Sequence, residues 1–164
     1  PTGHVSTIGG LMNAADLDST QQHPPKILLT KIGMDGHDRG SRLVAAFLRD
    51  GGMEVVYTGP WQKITDVVNL AIQEDVDLIG ISSLATDHLI LPKLMDALRD
   101  AGLGHVSVVV GGIVPDCDLA LLSDAGVAHV FHPGAARDDI VARVSQLVQK
   151  TRAAGLAEMG GGHA

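Results

Sequence analysis

Five short runs of aliphatic and β-branched residues alternate with longer segments of helical periodicity, and this alternation constrains the fold more than any other feature. The runs are continuously apolar, as in strands that are covered on both faces. Such strands belong to a parallel sheet with helices on each side. The sequence predicts strands at Lys26–Leu29, Glu54–Tyr57, Leu78–Ser82, Val106–Val110 and Val127–Phe131.

Amphipathic helices are predicted between and after these strands, because apolar residues recur there at intervals of three and four. Gly51, Gly102 and Gly126 each stand just beyond an inferred helix, where a left-handed terminating residue is expected. The local stop signals therefore agree with the periodicity. The apolar stripes consist of Ile64, Val67, Val68, Ala71 and Ile72; of Leu91, Leu94, Met95 and Leu98; and of Ile140, Val141, Val144, Leu147 and Val148.

The length of the chain limits how these units assemble. Five strand–helix units joined by right-handed crossovers form an open, doubly wound parallel α/β sheet, for which we expect the flavodoxin-like strand order 2-1-3-4-5. At 164 residues the chain is too short for a closed eight-stranded barrel, which needs about 250. We expect a polar N-terminal arm over residues 1–25, one domain over residues 26–152 and a frayed tail over residues 153–164.

Charge and composition exclude several classes of function. The 19 acidic residues outnumber the 12 basic ones, and the net charge of −7 argues against a nucleic acid or an anionic membrane surface as the partner. No signal peptide is visible, and no apolar run approaches the roughly 18 residues of a membrane helix. The single cysteine, Cys117, excludes an internal disulfide and suits a reducing compartment, so we expect a cytoplasmic protein.

A ligand is expected at the carboxyl ends of the strands, near the point where the strand order reverses. The segments that follow the first, third and fourth predicted strands are unusually rich in glycine and polar residues: Lys31–Gly40, Ser82–His88 and Gly111–Pro115. The glycine pair at 111 and 112 leaves the backbone open to a bulky ligand that a side chain would obstruct. We therefore expect the three loops to form one crevice between the first and third strands.

The first of these loops is compatible with more than one chemistry. Its glycines do not fit the G-x-G-x-x-G dinucleotide turn, and a phosphoacceptor receiver requires an aspartate where this chain has Ser82-Ser83. Asp35 and His37 suit a metal site, since a carboxylate bonded to one imidazole nitrogen makes the other a better ligand; alternatively, both are solvated loop residues. A zinc ion takes about four ligands, so one histidine suffices only for a metal that brings its other ligands with it.

Three short motifs occur in order on the three loops: Asp35-x-His37-x-x-Gly40, Ser82-x-Leu84 and Gly111-Gly112. Together they resemble the cobalamin-binding signature of adenosylcobalamin-dependent mutases. The longer string from Lys31 to Gly40 looks like the acyl-CoA mutase branch of that family, typified by methylmalonyl-CoA mutase. The resemblance extends over roughly residues 26–150, which is the extent of a flavodoxin-like cobalamin domain.

The resemblance implies a role for each matching residue. His37 would coordinate cobalt in place of the cofactor's own dimethylbenzimidazole, with Asp35 bonded to the imidazole and Lys31 behind the carboxylate. Ser82 would hydrogen-bond the displaced benzimidazole, and Leu84 would line its pocket. The cofactor-binding residues implied in this way are Lys31, Asp35, Gly36, His37, Asp38, Arg39, Gly40, Ser82, Leu84, Gly111, Gly112, Phe131, Pro133 and Gly134.

The resemblance also implies a function and a partner. The chain would be the cobalamin-binding small subunit of a two-subunit adenosylcobalamin-dependent acyl-CoA mutase, an isomerase that rearranges the carbon skeleton of a thioester such as methylmalonyl-CoA or 2-hydroxyisobutyryl-CoA. The barrel that binds the thioester does not fit within 164 residues, so a large barrel subunit and a hetero-oligomer are implied.

Three alternatives stay open. A cobalamin-dependent methyltransferase shares the histidine motif, but the polar arm is too short to be its helical cap. A stand-alone cobalamin carrier or sensor would bind the cofactor without catalysis. A receiver-like or nucleotide-binding module would share the fold without cobalamin.

Three residues outside the motifs have two interpretations each. His88 either faces the cofactor or a partner, or is hydrogen-bonded within its loop. Trp61 packs either on the large subunit or on the edge of the sheet. Cys117 lies between two aspartates that disfavour a thiolate, so we expect a structural or incidental thiol rather than a nucleophile.

Overall fold

The computed structural model describes residues 23–33, 37–84 and 86–161, so most of the predicted arm lies outside the described residues. Its five parallel strands form one sheet in the order β2-β1-β3-β4-β5, which confirms the predicted topology. In chain order the elements are β1 Lys26–Thr30, α1 Arg39–Asp50, β2 Glu54–Tyr57, α2 Ile64–Glu74, β3 Leu78–Ser83, α3 Leu91–Asp100, β4 Ser107–Gly112, α4 Leu119–Ala125, β5 His129–Phe131 and α5 Arg137–Gly160.

The ends of the strands differ from the predicted ends by at most two residues. β5 begins at His129 rather than at Val127, because the Val127 amide donates a hydrogen bond to the Leu122 carbonyl and belongs to the turn that ends α4. β4 continues to Gly112 because β3 pairs with it along its whole length. The end of a helix and the pairing with a neighbouring strand, neither of which an apolar run encodes, thus set these ends.

The helix ends need two corrections. The left-handed residue after α1 is Gly52, where φ is +86°, and not Gly51, where φ is −78°. The last helix, α5, extends through residues 153–160, which the sequence analysis assigns to a frayed tail. Alanine, leucine, glutamate and methionine dominate that segment, and their helix propensity outweighs its one internal glycine. In the described part of the chain, no helix has both the length and the hydrophobicity to cross a membrane.

Two apolar cores lie on the two faces of the sheet. Leu28 and Ile79 contribute to the core under α2, α3 and α4, while their neighbours Ile27 and Leu78 contribute to the core under α1 and α5. Successive side chains of a strand point to opposite faces. Burial on both faces is therefore the reason why the predicted strands are continuously apolar.

A partly buried ion pair fastens α5 to the amino-terminal edge of the sheet. The Arg152 guanidinium donates to both carboxylate oxygens of Asp77 at 2.8 Å, and the Lys26 amide donates to the same carboxylate at 2.9 Å. A further Arg152 bond reaches the His23 carbonyl at 2.9 Å. These hydrogen bonds to Asp77 raise the pKa of Arg152 above its ordinary value. The pair joins the last helix to the starts of β1 and β3, on the edge opposite to the expected site.

Replacing Arg152 with alanine is expected to lower the free energy of unfolding by about 1–2 kcal/mol, because Asp77 loses a bidentate partner in a partly screened position. Chemical denaturation of the isolated chain measures this. The matched control is Lys150→Ala, which removes a positive charge from an exposed position of the same helix. Equal stability of the two variants would contradict the anchoring role of Arg152.

Candidate functional site

Three of the residues implied for the site lie at the carboxyl edge of the sheet. The pairing register sets Ser82 of β3 opposite Gly111 of β4, and Gly111 opposite Phe131 of β5. The three residues form a row across three neighbouring strands at the edge where ligands bind in sheets of this kind. The register thus places these three residues side by side.

A cavity of about 420 Å³ opens beside this row, between the sheet and the helices α1 and α5. Most of its lining side chains are aliphatic, so it suits a largely apolar ligand. The predicted site residues that line it are Gly40, Ser82, Gly111, Gly112, Phe131, Pro133 and Gly134. Of the described residues predicted in the loop after β1, Gly40 lines the cavity, whereas Lys31, His37, Asp38 and Arg39 do not.

The two adjacent glycines of β4 serve different purposes. A Cβ added at Gly111 would meet no protein atom within 4 Å, so this position faces open space in the cavity wall. Gly112 has φ of +127°, and a Cβ there would overlap the backbone carbonyl of Ser83. From the sequence, both glycines are expected to leave room for a ligand. The structure supports that reason for Gly111, whereas Gly112 is required by the close approach of β3 and β4.

Several lining residues escape the sequence analysis. Gly80 lies in the middle of β3 and lines the cavity, and a Cβ there would lie 2.9 Å from Leu29 Cδ1. A glycine inside a buried strand signals a close approach, and this signal was available in the sequence. Val44, Phe47 and Ile140 form the helical wall. Periodicity places Ile140 on an apolar stripe, but it does not show whether such a stripe packs in the core or lines a cavity.

The loop after β1 carries the predicted metal ligand. His37 is exposed and stands two residues before α1, while Asp35 and Gly36 lie outside the described residues. Lys31 is buried, and its Nζ lies 3.8 Å from Asp87 Oδ2 in the turn after β3. The sequence analysis pairs Lys31 with Asp35; the structure adds a second carboxylate that is distant in the sequence. Among residues 23–33, 37–84 and 86–161, no three His, Cys, Asp or Glu side chains are grouped as metal ligands.

The remaining predicted residues of this loop belong to the start of α1. The Asp38 carboxylate accepts a hydrogen bond from Arg42 Nε at 2.8 Å and forms an ion pair with Arg42 Nη2 at 2.7 Å, and the Asp38 carbonyl accepts a hydrogen bond from the Ser41 hydroxyl. Arg39 is the exposed first residue of α1. Leu84, predicted to line the pocket, is half-buried beyond the end of β3 and is not among the residues that line the cavity. For Asp38, the contacts are those of a residue that organises a helix start.

A second, more open cavity of about 580 Å³ adjoins the first at the β5 edge and shares its Phe131 wall. His129 and His132 line it together with Asp139 and Arg143. Partial burial lowers the pKa of His129, and the nearby charges of Arg143 and His132 lower it further. His129 is therefore biased toward the neutral form.

The structure shows the surroundings of His88, Trp61 and Cys117, the three residues with two interpretations. His88 is buried in the 3-10 turn Asp87–Ile90, and its Nε2 lies 2.8 Å from Asp118 Oδ2, which confirms a hydrogen-bonded loop histidine. Trp61 is 64% exposed, so it does not pack fully against the edge of the sheet. Cys117 is exposed, and its thiol lies 3.8 Å from an Asp118 carboxylate oxygen.

Comparison with known protein families matches residues 25–142 to the B12 binding domain. The pivalyl-CoA mutase small subunit of Xanthobacter autotrophicus is 68% identical over 130 residues, which cover 79% of this chain and 88% of that protein. The 2-hydroxyisobutanoyl-CoA mutase small subunit of Aquincola tertiaricarbonis is 42% identical over 128 residues, which cover 77% of this chain and 94% of that protein.

Solved structures support the fold. A cobalamin-binding protein from Desulfitobacterium hafniense superposes with a TM-score of 0.66 over 76% of this chain, at 21% identity. This chain spans 59% of the length of that protein. At this identity the likeness establishes the shared architecture alone.

Proposed function

Because the chain belongs to the B12-binding domain family, we propose that it is the cobalamin-binding small subunit of an adenosylcobalamin-dependent acyl-CoA mutase. The observation that carries the proposal is the apolar cavity at the carboxyl edge, beside the loop that presents an exposed His37. The 68% identity to a CoA mutase small subunit, over 88% of that subunit, supports the same assignment. An isomerase of this class is active only when a second subunit binds the thioester.

The cavity fits the nucleotide tail of a cobalamin. Its floor offers the open face of Gly111, its walls are aliphatic, and Ser82 supplies a hydroxyl among them. A flat aromatic base with one hydrogen-bonding nitrogen suits a largely apolar surface that carries a few polar side chains. We assign Ser82 to the hydrogen bond with the base, and Phe131, Pro133 and Gly134 to the wall along the tail.

The loop after β1 would then hold the cobalt. His37 lies outside helices and strands and is exposed, so its imidazole is accessible to a large planar ligand. We assign to Asp35 the hydrogen bond that orients the imidazole, and to buried Lys31 the charge that balances the carboxylate. When bound, adenosylcobalamin supplies a cobalt–carbon bond whose homolysis generates the radical for carbon-skeleton rearrangement.

The partner and the compartment follow from the same proposal. A large subunit with a barrel would bind the acyl-CoA and exclude water from the radical chemistry, while this chain holds the cofactor. The substrate is a branched acyl-CoA, and pivalyl-CoA is the first to test because the relative at 68% identity is named for it. A single, exposed and free Cys117 suits the reducing cytoplasm.

The test is the paramagnetic resonance spectrum of bound cob(II)alamin, with natural and nitrogen-15-labelled histidine. Nitrogen splitting that changes with the label is expected, because a histidine of the chain replaces the cofactor's own base. Splitting that is unaffected by the label would contradict histidine ligation and favour a carrier or sensor. Mutase activity after addition of the large subunit, assayed with pivalyl- and 2-hydroxyisobutyryl-CoA, tests the reaction separately.

A further inference from the structure

A buried carboxylate in the turn after β3 contacts the loop that carries His37. We propose that Asp87 is a positioning residue, which holds the segment Lys31–Gly33 in place and thereby sets where the His37 imidazole is presented. The inference rests on the proposed function, since it concerns the ligand assigned to cobalt. Asp87 belongs to none of the three motifs and is not among the residues that the resemblance implies.

The first contact is electrostatic. Lys31 is 3% exposed, and its Nζ lies 3.8 Å from Asp87 Oδ2. The Asp87 side chain is only 12% exposed, and its Oδ2 has no hydrogen-bond partner among the residues that the structure describes. A charge removed from water is costly unless it is paired, so loss of the Asp87 charge takes a partner from the buried Lys31 ammonium. A change of charge at Asp87 is therefore expected to affect the position of the Lys31 side chain.

The second contact is steric. Gly33 has φ of +121°, and a Cβ added there would overlap the Asp87 carboxylate. The backbone of Gly33, two residues after Lys31, therefore packs directly against the Asp87 carboxylate. Contacts at two neighbouring points of the chain constrain both the position and the direction in which the loop leaves β1.

The turn that contains Asp87 is also held by a contact with the segment after β4. The next residue, His88, is 1% exposed, and its Nε2 lies 2.8 Å from Asp118 Oδ2 in the segment after β4. The Asp87 amide also donates a hydrogen bond to the Leu84 carbonyl at the end of the strand. Asp87 thus has a position that does not depend on the β1 loop, as a positioning residue requires.

The test compares Asp87→Asn, which keeps the shape and removes the charge, with the matched control Asp116→Asn. Asp116 is an exposed aspartate at the same edge of the sheet, so the control makes the same change of charge. We expect D87N to bind cob(II)alamin about ten- to hundredfold more weakly, as for other residues that orient a metal ligand. We also expect a smaller label-sensitive nitrogen splitting in D87N and unchanged binding and splitting in D116N.

Hydrogen exchange of the chain without cofactor supplies a readout that is independent of cobalt. Peptides that cover residues 31–42 should exchange faster in D87N than in D116N, while peptides from α2 stay unchanged. Wild-type-like affinity, splitting and exchange in D87N would overturn the inference. If the wild type itself shows no label-sensitive splitting, the proposed ligation fails, and the exchange of residues 31–42 alone decides whether Asp87 holds the loop.

The double variant K31M/D87N covers the case in which D87N does not fold. If the buried Lys31 charge causes that failure, removal of both charges should restore folding, which supports the pairing. If the double variant also fails to fold, the buried Lys31 charge is not the cause of the folding failure of D87N, and the proposed pairing is overturned. A folded double variant with wild-type histidine splitting would overturn the positioning role of Asp87, because the imidazole would then be held without it.

Discussion

Replacement of His37 with alanine is expected to abolish the label-sensitive nitrogen splitting of bound cob(II)alamin. The activity of the complex with the large subunit should fall by at least about 100-fold, since loss of a metal ligand costs more than loss of a group that orients it. The fold should survive, because His37 is exposed and belongs to no helix or strand. The thermal midpoint of the chain should therefore match that of the wild type.

The matched control for this variant is His23→Ala. His23 is also exposed, but its carbonyl bonds to Arg152 at the opposite edge of the sheet, far from the proposed ligand. The control should keep the splitting of the wild type. A His37 variant that retains label-sensitive splitting would show that another histidine ligates the cobalt.

Replacement of Gly111 with leucine is expected to weaken cobalamin binding by about 100-fold while the chain still folds. A Cβ at this position meets no protein atom within 4 Å, so a larger side chain extends into the 420 Å³ cavity rather than into the core. Forcing a ligand into a space that is already filled costs about 1–3 kcal/mol, which corresponds to about 5- to 150-fold in affinity. Titration with cobalamin, followed by its visible spectrum, measures the loss.

Gly59→Leu is the matched control for the Gly111 variant. Gly59 also has no protein atom within 4 Å of an added Cβ, but it is exposed in the loop after β2 and does not line the cavity. Its affinity should equal that of the wild type. Undiminished affinity in the Gly111 variant would contradict the assignment of this cavity to the nucleotide tail.

Gly112 is a poor position for the same experiment, although it stands next to Gly111. An alanine there would overlap the Ser83 carbonyl and would also adopt a left-handed conformation that disfavours side chains. Loss of binding in such a variant would report a displaced strand rather than a filled cavity. The choice between the two glycines depends on the register of β3 and β4, which the sequence does not show.

The fold was predictable because its signals are local. Continuous apolar runs such as Leu78–Ser82 require cover on both faces, and this requirement, with the helical stripes between the runs, specifies a doubly wound parallel sheet. The gathering of Ser82, Gly111 and Phe131 at one edge then follows from topology, since parallel strands end on the same side. The length of α5 was less predictable, because its last residues include glycine and lie beyond the apolar stripe, and such a segment resembles a flexible tail.

The amino-acid sequence by itself thus determined the strand order, the edge at which we propose that a ligand binds and the motif that includes His37, since each depends on spacing along the chain. Only the tertiary structure decided which groups share a cavity wall and which charges are paired. Gly80 and Val44 line the cavity, Gly112 lies against the neighbouring strand, and the Asp87 carboxylate forms an ion pair with Lys31. These assignments depend on distances between residues that are remote in the sequence, and side-chain periodicity carries no information about such distances.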